Sequence, residues 1–202
     1  FLASGPDGAR LYKTQRCIGS FLIQEWGLPR RPIEEVAVVL EGEGIGHAVA
    51  SADGSECVGV SAESGQVFRT DTQTGETRIL GELDKRGKFS RRLCVDKSGR
   101  VWGTCGNAGL WTLAPGSDEI EKLPQRIPCA AGREQHTQVS AWAVDPVTGM
   151  VYGGTRPDGF MFSLDPHTRH MVALGKPCRQ DLITCLTVGH DGRVFGMVGT
   201  AE

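Results

Sequence analysis

Apolar runs in this chain are short and are interrupted repeatedly by glycine and aspartate. The longest, VAVVL at 36–40, fits a buried strand rather than a helix. Elsewhere apolar residues come in ones and twos between polar residues or glycine, as in ECVGVS, QVFRTD, LWTL and MFSLD. Such short runs between turn residues predict short strands rather than long helices. The chain carries 28 glycines, which multiplies the expected tight turns and shortens the strands between them.

The strands repeat. HAVASADGSECVGVSAESG, RRLCVDKSGRVWGTCGNAG, VSAWAVDPVTGMVYGGTRPDG and ITCLTVGHDGRVFGMVGTAE share one plan: an apolar strand, an Asp/Gly turn, then a strand with a central glycine. Those glycines are Gly59, Gly103, Gly153 and Gly196, spaced by 44, 50 and 43 residues. Third and fourth strands follow in step, with QVFRTDTQTGETRILGEL parallel to FMFSLDPHTRHMVALGKP. Four short antiparallel strands in about 45 residues are the signature of a β-propeller blade. A lone blade has two apolar faces, and stacking blade on blade hides both. The central glycine is expected to let neighbouring sheets approach closely.

The fold class expected is therefore all-β, a propeller of four-stranded antiparallel blades treated as one domain over 1–202. With strands lettered A to D outward, blades are expected at 44–83, 89–124 and 138–176. Partial blades are expected at 1–40 and 182–202, the first reading as a B-turn-C unit followed by strand D at SFLIQEWG. About four blades' worth is present. Part of a larger ring is the expectation, beside a small ring and a half-ring completed by a second copy.

Charge and cysteine content narrow the function classes. A net charge of −2 and no RNA-binding motif disfavour a nucleic-acid partner. No apolar run approaches the 18 or more residues of a membrane span. The seven cysteines are odd in number and form no C-x-x-C pair, so a disulfide framework is weakly supported. Cys57, Cys94 and Cys185 fall in strands and read as small buried hydrophobes. The chain opens at Phe1 with no leader-like segment, which leaves localisation open.

The phrases VYGGT, DG and LDP within residues 151–166 carry a resemblance. They are similar to the repeats of bacterial seven- and eight-bladed propellers, quinoprotein-like and YncE-like, and of propeller polysaccharide lyases such as ulvan lyases. The shared residues are turn and core residues, so the resemblance implies architecture more than activity. It also implies that D-to-A and B-to-C loops share one face beside the central channel, where ligands bind.

Sorted by loop, the cations gather on that face. The loop 84–92 carries Lys85, Arg86, Lys88, Arg91 and Arg92. Arg126, Arg133, His136, Arg156 and Arg179 follow in later loops, and Arg30 and Arg31 join them if the first blade is read correctly. Arg91, Arg92, Arg156 and Arg179 are the candidate ligand-binding residues, for an anionic small molecule or polysaccharide, or a protein partner. A solvated rim of charge is the plain alternative, and Glu34, Glu35, Glu41 and Glu43 near the same mouth favour it.

An enzyme reading starts from His47, His136 and Arg133. The resemblance to lyases implies β-elimination on a uronate: Arg neutralises the carboxylate, His removes the adjacent proton, and a Tyr or a second His protonates the leaving oxygen. Tyr152 is the tyrosine at hand, but it shares an aromatic core position with Trp102 and Phe195. Cys129, His136, Cys178 and Cys185 match no standard zinc spacing, so no metal and no cofactor are expected. A structural or sensor segment of a larger protein is the third reading. His167 and His170 align with Gln73 and Glu76 around a C-to-D turn, which makes them surface turn residues. Arg169 replaces Gly75 there, so some backbone strain is expected.

Overall fold

The computed structural model describes residues 10–14, 20–25, 34–38, 40, 43–83 and 92–199, the first three segments as backbone only. They contain strands and no helix. The chain is a β-propeller in architecture, and it divides into two compact units, residues 1–83 and 84–202.

In the first unit, β1 (Arg10–Thr14), β2 (Ser20–Glu25) and β3 (Glu34–Val38) form an antiparallel sheet in that order. Ser20–Glu25 thus supplies the middle strand of the three described, not an outermost one. Arg30 and Arg31 lie outside the described residues, as do Lys85, Arg86, Lys88, Arg91 and Glu41. The second sheet of this unit is a complete blade: β4 (Ile45–Ala50), β5 (Glu56–Ser61), β6 (Gln66–Asp71) and β7 (Thr77–Glu82).

The second unit holds two complete blades and a two-stranded sheet. The blades are β8 (Cys94–Val95), β9 (Val101–Cys105), β10 (Gly109–Leu113), β11 (Ile120–Arg126), and β12 (Gln138–Val144), β13 (Val151–Arg156), β14 (Met161–Leu164), β15 (Met171–Gly175). The final pair is β16 (Leu182–Val188) and β17 (Val194–Gly199).

Turn chemistry fixes each reversal. Asp96 sits at an A-to-B turn and accepts from the Ser98 N–H, the Ser98 hydroxyl and the Arg100 N–H. Its other oxygen accepts from the buried Trp102 indole at 2.8 Å. Asp145 and Asp165 accept from backbone N–H groups two and three residues on in the same way. Bulges recur at fixed places. First strands shift register at Ile45/His47, Val139/Ala141 and Ile183/Cys185, and third strands shift just before Phe68, Trp111 and Phe162.

The central glycines serve a purpose the sequence reading placed elsewhere. Gly59, Gly103 and Gly153 pair directly with Phe68, Trp111 and Phe162 of the third strand of their own sheet. A Cβ there would lie 2.2 Å from Phe68, 2.6 Å from Trp111 and 2.2 Å from Phe162. Each glycine therefore makes room for an aromatic ring within its blade, a cross-strand pairing also used to steady glycines in designed sheets. Close approach between sheets falls to the next residue, Gly154, whose Cβ would meet Ile183 of β16 at 2.5 Å.

The core of the second unit lies between its blades. Trp102, Leu110, Ile127, Val139, Val151, Phe162 and Leu164 form one cluster, joined at its edge by Trp142. Trp142 meets Phe162 edge-to-face at 5.7 Å and donates its indole N–H to the Arg92 carbonyl. Ser140 Oγ donates to the Ile183 carbonyl at 2.6 Å, tying β12 to β16. At the turn end, Lys97 Nζ donates to the Pro146 and Val147 carbonyls at 2.8 and 3.1 Å. Arg169 ion-pairs with Glu121 of β11 through both guanidinium nitrogens.

The aromatic position shared by Trp102, Tyr152 and Phe195 is not uniform. Trp102 is fully buried, Tyr152 half-buried and Phe195 54% exposed. Cys185 is exposed as well, against the expectation of a buried thiol. Both lie on the face of β16–β17 over which no described residue packs a further sheet. Cys57 and Cys94 are buried as expected, and burial pushes both thiols to about 12.

Candidate functional site

Three loops of the second unit come together: residues 127–137 before β12, 157–160 between β13 and β14, and 176–181 before β16. The middle loop is a tight reversal. Thr155 N–H donates to the Phe160 carbonyl, and Phe160 N–H returns to the Thr155 hydroxyl, each at 2.9 Å. Gly159 has φ +69°, and a Cβ there would lie 2.2 Å from the Gln180 carbonyl oxygen. Only glycine suits that crossing, because both the backbone angle and the space exclude a side chain.

Asp158 joins the middle loop to the first. It is 4% exposed and accepts from Thr137 Oγ1 at 2.7 Å, the Ala130 N–H at 3.2 Å and Arg133 Nη1 at 3.2 Å. A buried carboxylate needs such a full set of donors. Within the first loop, Arg133 N–H donates to the Ala130 carbonyl, and the His136 and Thr137 N–H groups both donate to the Arg133 carbonyl.

The loops thus place Arg133, His136, Arg156 and Arg179 in one loop cluster. Arg133 reaches inward to Asp158 while its side chain stays 53% exposed. Lys176 pairs with Asp181 at 3.3 Å. The Glu134 carboxyl is held below its usual range by its own N–H and that of Gly132, with Arg126 adding to the effect. Arg126, Arg156 and Arg179 are exposed. The face is therefore mixed in charge, with arginines at its outer surface.

The other sequence candidates are not carried on these three loops. His47 is half-buried on β4, in the first unit, directly after the β4 bulge. Arg92 is exposed ahead of β8, and Arg91 lies outside the described residues. Tyr152 pairs with Ala143 and Ser163 inside its sheet, away from the loops. Among the described residues no group of three His, Cys, Asp or Glu side chains is placed to hold a metal. Burial, with help from Glu134 and Asp158, raises the Cys129 thiol, so it is a poor nucleophile or ligand.

Asp158 and Thr137 escaped the sequence reading. PDG reads as a turn, and nothing in it shows that its aspartate turns inward to a threonine 21 residues earlier. The repeat alignment did place 155–159 beside the loops of Arg133 and Arg179, and that is the signal from which the contact could have been sought.

No protein-family model and no curated protein sequence matches the chain. Solved structures do. An oligogalacturonate lyase in complex with manganese is 17% identical with a TM-score of 0.64, over 95% of this chain and 56% of that one. A catalytically inactive virginiamycin B lyase from Staphylococcus aureus, with quinupristin, is 12% identical with a TM-score of 0.73, over 98% and 62%. The periplasmic gluconolactonase of Pseudomonas aeruginosa is 15% identical with a TM-score of 0.68, over 96% and 61%. The chain spans about six-tenths of the length of these structures. At such identities the likeness establishes the β-propeller fold and nothing finer.

Proposed function

We propose that the chain is a ligand-binding propeller segment whose 127–137, 157–160 and 176–181 loops receive an anionic ligand, a carboxylated or sulfated oligosaccharide. The carrying observation is Asp158. By drawing Thr137, Ala130 and Arg133 inward it fixes the loop frame, while Arg126, Arg156 and Arg179 stay at the solvent side. Guanidinium groups carried on such a fixed loop frame bind carboxylates or sulfates through paired hydrogen bonds.

Titration with polygalacturonate and dextran sulfate tests this. Binding should weaken steeply as salt rises, since exposed charges are screened within about 10 Å at 0.1 M. An Arg156→Ala/Arg179→Ala variant should bind at least about tenfold more weakly. Salt-independent binding, or equal binding by the variant, overturns the reading.

A second reading, a lyase acting on uronate chains by β-elimination, is favoured by one finding: a structural neighbour is named an oligogalacturonate lyase. Arg133 and His136 adjoin in one turn, as that chemistry asks, but the Arg133 charge is already directed at Asp158. Release of unsaturated uronate, followed by its absorbance, supports this reading. Its absence with polygalacturonate under conditions where binding is measured removes it.

A further inference from the structure

The loop 127–137 joins two complete blades, β8–β11 and β12–β15, and Arg133 is fixed in it twice over. Its main chain is closed into the turn. The Arg133 N–H donates to the Ala130 carbonyl at 3.0 Å, and the Arg133 carbonyl accepts from the His136 and Thr137 N–H groups at 2.9 and 3.1 Å. Its side chain is held by the buried Asp158, whose Oδ1 accepts from Nη1 at 3.2 Å. Asp158 cannot swing away, because Thr137 Oγ1 and the Ala130 N–H hold its other oxygen at 2.7 and 3.2 Å.

Asp158 takes a hydrogen bond from only one nitrogen of the guanidinium. The Arg133 side chain is 53% exposed, and among the described residues its Nε and Nη2 meet no acceptor. Those two nitrogens form a planar two-donor edge. Asp158 also matches the Arg133 charge, so the pair exerts little long-range pull. The exposed Arg126, Arg156 and Arg179 supply that pull. What Arg133 adds is direction.

Granted the anionic ligand proposed above, on which this step rests, we infer that Arg133 is its specificity-determining residue: a fork, aimed by Asp158, that selects a carboxylate over a sulfate. A carboxylate divides its charge between two oxygens in one plane, and the Nε–Nη2 edge meets both. A sulfate ester spreads the same charge over three oxygens, of which one edge meets two. The ligand class narrows to carboxylated saccharides.

The probes are carboxymethyl dextran and dextran sulfate of matched charge density, titrated into the full 202-residue chain. The parent chain should bind the carboxylated polymer about tenfold more tightly. Arg133→Lys keeps the charge and a donor for Asp158 but lacks the planar edge. It should lose that preference, with dextran sulfate affinity and melting temperature unchanged. Arg156→Ala/Arg179→Ala should weaken both polymers alike and keep the preference. Equal binding of the two polymers by the parent overturns the inference and leaves the anionic-ligand reading standing. So does a preference that survives Arg133→Lys. An Arg133→Lys chain that loses both polymers equally, with a lowered melting temperature, assigns Arg133 a structural role only and overturns it as well. Binding of neither polymer removes the reading and the inference together.

Discussion

Arg169 shows how one residue carries opposing demands. It has φ 60°, in the turn where the aligned blade uses Gly75 with φ 74°. A side chain there costs about 1 kcal/mol or more. The same side chain pairs with Glu121 through two nitrogens, but at 38% and 43% exposure that pair contributes no more than about 1 kcal/mol. The two terms nearly cancel. Arg169→Gly should therefore lie within about 1 kcal/mol of the parent chain, and Arg169→Ala, which keeps the strain and loses the pair, should fall about 1 kcal/mol below Arg169→Gly. Urea melts of the three chains decide it; an alanine variant as stable as the glycine variant refutes the balance. Alignment with Gly75 alone exposed the strained angle. Glu121 lies 48 residues away on another blade, and no local pattern points to it.

At the scale of the element, the Gly–aromatic pair organises each complete blade. Its effect on sequence is a spacing: a glycine in the second strand and a ring in the third, nine residues on in two blades and eight in the other. The sequence makes that spacing visible, and with it the strand order. It does not show which sheet the ring belongs to, because a glycine that admits a neighbouring sheet and one that admits its own third strand read alike. The register separates them. Gly153→Ala would set a methyl 2.2 Å from Phe162, and it should cost about 1–3 kcal/mol by chemical denaturation. Phe162→Leu frees the same space, so the double variant should lose less than the sum of the singles. Strict additivity would mean that ring and glycine do not share that space. The loop cluster was legible only in part: its arginines declare themselves by charge, whereas Asp158 and Thr137 are ordinary turn and loop residues until the fold buries them.

For the whole molecule, the turn aspartates act together on acid stability. Hydrogen bonds from Ser51 and Ser55 hold Asp53 down to about 2 from 3.8. Neighbouring turn N–H groups and hydroxyls lower Asp71, Asp145 and Asp165 as well. A lowered folded value means the charged form is favoured by the fold. That stabilisation is complete above the ordinary carboxylate value and is lost as pH falls through the lowered one. The melting temperature should hold from neutral pH to about 4 and decline from there toward pH 2. Asp53→Asn should flatten part of that decline while lowering the plateau, and an unchanged acid slope would exclude the turn as its source.

The Lys97 ammonium has a different kind of consequence. It bridges two turns by donating to the main-chain oxygens of Pro146 and Val147, while the Val147 side chain stands 63% exposed. The contact does not read the identity of the residues it holds. The 146–147 turn is free to change its side chains without loosening the joint, as long as its backbone keeps the same path. Of the side chains at this contact, only the lysine's takes part in the bond itself.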